Sequence, residues 1–325
     1  GGRRRALGAA IGARAGGAGA AEPGLLTVPD PGPPAIMAAM QPDFGAILTA
    51  MVTPFDERGA IDEDAAVALA HHLVEHGSDG LVACGTTGEA ATLDDAEHLR
   101  MIELIASEMG QHCTVIAGVG SNDTRHGVML TERASELGVD ALLAVNPYYN
   151  RPSRRGIVAH FSEVVRATNL PIVLYNIPQR TGSDMDNELL AELAQLDHVV
   201  AVKQANAANL ARIDGLMLYA GNDDLLAPVL DLGEPGGILT GSHIFGAEMR
   251  RMVDEPERRH EIDESLRDVY RDMAVAPAAC SIKAALDMIG IAAGGPRLPY
   301  VELDAEERAV VRSLLERHGM LAAAA

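Results

Sequence analysis

Lysine is nearly absent from this 325-residue chain, and the position of one lysine suggests covalent chemistry. Only Lys203 and Lys283 are lysines among its 26 lysine and arginine residues. Lys203 follows the apolar run VVAV (199–202), which predicts an amine at the dry end of a buried strand. Burial disfavours the ammonium, and a neutral amine can attack a ketone to form a Schiff base. The alternative is a strand-end lysine paired with a carboxylate. Lys283 lies in a helical pattern and is interpreted as structural or surface-exposed.

Polar turns follow three other apolar runs. The turn GTTGE (85–89) offers main-chain amides and two hydroxyls that suit a carboxylate and proton transfer, although a plain glycine-rich turn is equally open. Tyr149 lies in the polar turn after the fourth run and Tyr175 near the end of the fifth, where a polar turn begins, and each alone could simply cap a core. Arg180, in the same turn as Tyr175, could hold a carboxylate through two hydrogen bonds or be a surface arginine. Beside the strand-end lysine, these side chains favour a catalytic site.

Composition excludes several other classes of protein. The net charge of −20 and the 3% aromatic content argue against nucleic-acid or anionic-membrane binding. Three scattered cysteines form no CxxC motif, which favours a reducing cytoplasm over a disulfide framework. His72 and His76 lack the glutamate that a zincin helix needs, so we expect no metal site there.

Eight short apolar runs alternate with amphipathic stretches from residue 44 onward. They are apolar on both faces, as expected of buried parallel strands, and their number predicts a (β/α)8 TIM barrel. A doubly wound sheet is the alternative, but its usual GxGxxG or GxxxxGK[ST] turn is absent. The runs are 46–52, 80–85, 114–120, 141–146, 171–176, 199–203, 216–221 and 236–241.

The same patterns predict the domain organisation. Residues 1–40 are rich in Gly, Ala, Pro and Arg and are predicted to be a disordered extension, with Met37 and Met40 as plausible starts. The barrel is predicted over 41–262. Only helical patterns follow, so 263–325 is predicted to be a small C-terminal helical domain.

Four motifs in this order carry a resemblance to a known family. The chain resembles the dihydrodipicolinate synthase/N-acetylneuraminate lyase family of class I aldolases from about Phe44 to its end. The motifs are GTTGEAATL (85–93), PYYNRPS (147–153), YNIPQRTG (175–182) and VAVKQA (200–205).

The resemblance implies roles for four catalytic residues. Lys203 forms the imine with pyruvate, and Tyr175 donates and accepts protons during imine formation and the aldol step. Thr86 and Tyr149 complete the proton relay, with Tyr149 reaching into a partner subunit's site. The implied assembly is a homotetramer or homodimer in the cytoplasm.

The resemblance also implies the substrate contacts. Thr87 and Ile238 line the pyruvate pocket, with Gly221 close to it, and Arg180 holds the carboxylate of the second substrate. Arg180 favours pyruvate condensation with L-aspartate 4-semialdehyde, in lysine and diaminopimelate biosynthesis, over a family aldolase acting on a sugar acid. The resemblance implies no metal or organic cofactor. A barrel kept as a metabolite sensor or scaffold is a further alternative.

Several positions depart from the family pattern. Gln204 stands where an acidic residue is common, Asn206 where a small or hydroxylated residue is usual, and ILTGSH (238–243) where an ISV pattern is usual. In lysine-inhibited members an acidic side chain binds the effector's ammonium at a subunit interface. His126 stands at that position here, and Asp95 replaces a histidine, so we expect weak inhibition by lysine.

Overall fold

The fold is seen in a computed structural model that describes residues 42–321. The extension predicted over residues 1–40 lies outside the described residues. The remaining domain bounds, 41–262 and 263–325, stay predictions.

Eight parallel strands close into a barrel in chain order, with β1 paired to both β2 and β8. The predicted TIM barrel is therefore confirmed, and each strand falls within or next to one of the eight apolar runs. The strands are β1 (Ile47–Ala50), β2 (Gly80–Ala83), β3 (Thr114–Gly118), β4 (Ala141–Val145), β5 (Ile172–Asn176), β6 (Val199–Gln204), β7 (Met217–Ala220) and β8 (Gly236–Leu239).

Helices surround the barrel and continue beyond it. The side chain of Asp62 accepts a hydrogen bond from the main-chain N–H of Ala65 (3.0 Å) and so caps the N-terminus of the first helix. The helices are α1 (Glu63–Glu75), α2 (Asp95–Met109), α3 (Thr124–Ser135), α4 (Arg154–Arg166), α5 (Pro178–Thr181), α6 (Asn187–Leu193), α7 (Leu226–Asp231), α8 (Ser242–Asp254), α9 (Arg259–Ser265), α10 (Arg267–Asp272), α11 (Ala278–Met288) and α12 (Ala305–Arg317). Between β6 and β7 the described chain has only a short 3-10 turn, Ala207–Asn209.

The hydrophobic core has two layers because strand side chains alternate between the two faces of the barrel wall. One layer fills the barrel and includes Leu48, Val82 and Ile116, and the other packs between the barrel and the helices. Ala201 belongs to the inner layer. Lys203 lies two residues further along the same strand, so it shares that inward-facing side. This parity directs a charged group into the mouth of the barrel.

Candidate active site

Lys203 lies at the end of β6 and is 4% exposed. Its strand position pairs with Tyr175 of β5, and its Nζ lies 4.4 Å from the centre of the Tyr175 ring. Tyr175 belongs to the inner layer as well. The register between two neighbouring strands therefore brings an amine and a phenol into contact.

The surroundings of Lys203 favour its neutral form. Burial lowers the pKa of Lys203 to about 8, the charge of Asp223 opposes this fall, and the charge of Arg180 adds to it. Burial also raises the pKa of Tyr175 to about 12, so its hydroxyl keeps its proton near neutral pH. The site thus combines a partly neutral amine with a protonated phenol.

A cavity of about 300 Å³ opens in front of the amine and brings most of the predicted site residues together. Lys203, Tyr175, Thr86, Thr87, Arg180 and Gly221 all line it. Thr87 is buried, whereas Thr86 and Arg180 are exposed at its mouth.

Two predicted site residues lie elsewhere. Ile238 is completely buried in the inner layer and does not line the cavity. Tyr149 is 88% exposed, with a left-handed backbone (φ 71°), and does not line the cavity either. Its main-chain N–H donates to the carbonyl of Thr181 (3.2 Å), which holds the Tyr149 turn against the Arg180 turn. Within this chain, Tyr149 therefore does not reach the cavity of Lys203.

Gly221 allows the end of β7 to lie close to the strand that carries Lys203. A Cβ at Gly221 would lie 2.8 Å from the main chain of Gln204 and Ala205. The N–H of Gly221 donates to the carbonyl of Gln204 (2.8 Å). A side chain at this position would push the two strand ends apart.

Asp223 is a charged residue of the site that the sequence reasoning missed. It lines the cavity just beyond β7. Its carboxylate accepts hydrogen bonds from the main-chain N–H groups of Thr240 and Gly241 (both 2.9 Å) and from the Thr240 hydroxyl (3.0 Å). Burial raises the pKa of Asp223, and those hydrogen bonds oppose the rise. Asp223 and Asp224 directly follow the turn after the predicted seventh strand, and this pair of acidic residues could have indicated a charged group at the site.

The C-terminal helices also contribute to the cavity. Tyr270 of α10 lines it, together with Ala274 and Ala278. The Tyr270 hydroxyl donates to Asp263 (3.1 Å), so its orientation is fixed within the helical segment. No pattern in the sequence shows that these helices return to the mouth of the barrel.

Outward-facing amides support the two strands that carry the amine and the phenol. Asn176 follows Tyr175, Gln204 follows Lys203, and the Asn176 side-chain amide donates to Gln204 Oε1 (3.0 Å). Gln204 Oε1 also accepts from the main-chain N–H of Asn206 (2.9 Å). The unusual side chain at 204 thus joins the end of β5 to the chain that follows β6.

A second cavity, of about 340 Å³, shares Thr86, Tyr175 and Arg180 with the first. Asp95 and His126 line it. His126 Nε2 lies 2.9 Å from Asp95 Oδ1, so the two unusual side chains contact each other.

Within residues 42–321, no group of three or more His, Cys, Asp or Glu side chains is placed to hold a metal ion. None of the helices in that range is long and apolar enough to cross a membrane.

Comparison with known proteins gives a consistent result. The model of the dihydrodipicolinate synthetase family matches residues 43–318. The 4-hydroxy-tetrahydrodipicolinate synthase of Heliobacterium modesticaldum is 40% identical over 294 residues, which cover 86% of this chain and 97% of that protein.

Solved structures agree with this match. The dihydrodipicolinate synthase of Cyanidioschyzon merolae, with lysine bound, has a TM-score of 0.82 and 37% identity, covering 86% of this chain and 99% of that one. The enzyme of Acinetobacter baumannii, complexed with pyruvate, has a TM-score of 0.82 and 30% identity, covering 86% of this chain and 100% of that one.

Proposed function

The chain belongs to the dihydrodipicolinate synthetase family, and we propose that Lys203 performs the family reaction by forming an imine with pyruvate. The chain is a synthase that condenses pyruvate with L-aspartate 4-semialdehyde to 4-hydroxy-tetrahydrodipicolinate, in lysine and diaminopimelate biosynthesis. The activity predicted from the sequence is confirmed over the sugar-acid alternative. The roles of individual residues remain proposals.

One observation carries the proposal: the Lys203 amine is buried, has a pKa of about 8, and opens onto a cavity shared with the Tyr175 ring. A neutral amine has the lone pair that attack on a ketone requires. At pH 7.5 a pKa of 8 leaves about a quarter of the amines neutral, against about a thousandth at the ordinary lysine value. Burial is thus the main cause of the neutral amine, and the charge of Arg180 adds to it.

The reaction begins when Lys203 Nζ attacks the keto carbon of pyruvate. The resulting carbinolamine loses its hydroxyl as water after protonation, and we assign the donation of that proton to Tyr175, whose ring centre lies 4.4 Å from Lys203 Nζ. The iminium makes the pyruvate methyl acidic, and loss of a methyl proton gives an enamine. The enamine carbon attacks the aldehyde carbon of the second substrate, and the new alkoxide takes a proton. The substrate's amino group then attacks the imine carbon, closes the ring and releases Lys203.

We assign different parts of the cavity wall to the two substrates. We assign the pyruvate carboxylate to Thr87 and the main-chain amides of its turn, close to Gly221. Thr86, exposed at the mouth, relays protons between Tyr175 and the outside. The guanidinium of Arg180 is also at the mouth, where it can form two hydrogen bonds with the carboxylate of the second substrate.

We propose that a second copy of the chain completes the relay with Tyr149. The 88% exposure of Tyr149 supports this, because a large aromatic side chain held outward is available to a neighbouring subunit. The proposed assembly is a homodimer or homotetramer. The described cysteines Cys84, Cys113 and Cys280 are unpaired, which supports the proposed cytoplasmic location.

The test adds pyruvate first and the second substrate afterwards, and measures the imine that remains. Pyruvate alone should form an imine that cyanoborohydride traps on the wild-type enzyme, and L-aspartate 4-semialdehyde added before the reductant should consume it. A sugar aldehyde such as N-acetylmannosamine is the matched control and should leave the trapped yield unchanged. Consumption by the sugar aldehyde, with none by the semialdehyde, would contradict the proposal.

A further inference from the structure

The second lysine of the chain forms a buried ion pair with the turn that carries the site threonines. Lys283 of α11 is 2% exposed, and its Nζ lies 2.7 Å from Oε1 of Glu89, whose side chain is completely buried. Glu89 is the last residue of the GTTGE turn. The interpretation of Lys283 as surface-exposed is wrong, and its structural interpretation holds.

Both partners make additional contacts that fix the pair. The Lys283 ammonium donates to the carbonyl of Gly295 (3.0 Å) and lies 4.1 Å from the centre of the Phe55 ring. The other carboxylate oxygen of Glu89 accepts a hydrogen bond from the main-chain N–H of Arg297 (2.9 Å). One carboxylate therefore joins the turn, α11 and the segment after α11.

The main chain of Glu89 couples this anchor to the site. Its N–H donates to the carbonyl of Thr86 (3.1 Å), closing the turn around Thr87. Glu89 has a left-handed backbone (φ 57°), a conformation that non-glycine residues adopt only when their surroundings hold them. A second hydrogen bond, from Thr53 to the carbonyl of Gly88 (2.7 Å), holds the turn from β1's side.

Resting on the proposed function, we propose that Glu89 and Lys283 are positioning residues that fix the Thr86–Thr87 turn for pyruvate binding. Neither touches the substrate; they act through the turn. A buried ion pair is weak support for stability, because a well-packed apolar pair stabilises a fold as well or better. The charged pair instead constrains geometry. The Glu89 carboxylate must contact the Lys283 amine and the main-chain N–H of Arg297 at the same time, and this fixes the position of the turn.

The same contact separates the two lysines chemically. Burial lowers the pKa of Lys283, and the hydrogen bond and charge of Glu89 oppose that fall. Lys283 thus has a carboxylate 2.7 Å from its amine that opposes the loss of its proton, whereas the amine of Lys203 faces an open cavity.

The test compares Glu89→Gln with Glu97→Gln as a matched control. Glu97 also ties the barrel to the C-terminal segment, since Arg297 Nη1 donates to Glu97 Oε2 (2.7 Å), but Glu97 lies on α2 rather than on the turn. The measurements are Tm and the pyruvate concentration that gives half-maximal trapping, taken well below Tm. We expect Glu89→Gln to raise that concentration about tenfold or more, which is about 1.4 kcal/mol. Glu97→Gln should lower Tm, but its half-saturating pyruvate concentration should stay within twofold of the wild-type value.

A double variant guards against misfolding. Glu89→Gln with Lys283→Met leaves no unpaired buried charge, so it is the variant expected to fold best. Because the pair acts as one interaction, the double variant should raise the half-saturating pyruvate concentration about as much as Glu89→Gln alone.

The possible failures are distinguishable. A wild-type enzyme that traps no pyruvate overturns the proposed function, and this inference with it. A wild type that traps pyruvate while the folded double variant keeps the wild-type concentration overturns the positioning role alone. An equal rise in Glu97→Gln also overturns it, because the effect would then belong to any tie between the barrel and the C-terminal segment.

Discussion

Replacing Asp223 by asparagine should move the pH dependence of imine formation toward acid. Burial lowers the pKa of Lys203 to about 8, and the charge of Asp223 opposes part of this fall. Removing a negative charge destabilises the ammonium, so the pKa of Lys203 must fall further. The neutral, reactive amine then persists to lower pH.

The size of the effect follows from the titration of one group. With a pKa of about 8, roughly 9% of the amines are neutral at pH 7. Loss of an opposite charge on the cavity wall lowers a pKa by about one unit, or about 1.4 kcal/mol. Half of the amines would then be neutral at pH 7, about a fivefold gain, whereas above pH 9 the two enzymes would differ little.

The assay is the initial rate of pyruvate trapping by cyanoborohydride between about pH 6 and pH 10. Thr240→Val is the control, because it removes one hydrogen bond to Asp223 (3.0 Å) and keeps the carboxyl group itself in place. A midpoint that stays near 8 in folded Asp223→Asn, or moves upward, refutes the electrostatic reasoning. An equal acid shift in Thr240→Val would assign the effect to the loop instead.

Three further outcomes test the proposed roles. Tyr175→Phe should lower kcat by about 10²–10⁴-fold with Tm nearly unchanged, because it removes a proton donor and keeps the ring; a kcat within threefold of wild type contradicts this. A mixture of inactive Lys203→Ala and inactive Tyr149→Phe should regain activity after subunit exchange, and folded, exchanged mixtures that stay inactive contradict a shared site. L-lysine should inhibit weakly, because His126 contacts Asp95 (2.9 Å) and supplies no negative charge for an ammonium; half-inhibition below about 1 mM, near 4 kcal/mol, contradicts that.

The barrel and the position of the Lys203 amine could be predicted because their signals are local. Eight apolar runs mark the strands, and the position of Lys203 directly after VVAV places its amine at a strand end. Asp62 marks a helix start for a similar reason, since capping needs only the next three residues. Alternation along β5 and β6 then directs Tyr175 and Lys203 to the same face.

Contacts between distant segments could not be predicted in this way. Glu89 meets Lys283 only because α11 returns to the barrel, and no periodicity in the sequence encodes that return. Tyr270 reaches the cavity by the same route. The outward position of Tyr149 depends on a left-handed backbone that its residue type does not announce. Asp223 was nearest to prediction, since it follows a recognised strand.

The most direct measurement of the central claim is the site of the pyruvate adduct. After incubation with pyruvate and cyanoborohydride, the enzyme is digested and its peptides are weighed by mass spectrometry. A single reduced adduct on the peptide containing Lys203, lost in Lys203→Ala, is the predicted result. An adduct on Lys283, or an unchanged adduct in Lys203→Ala, would contradict it.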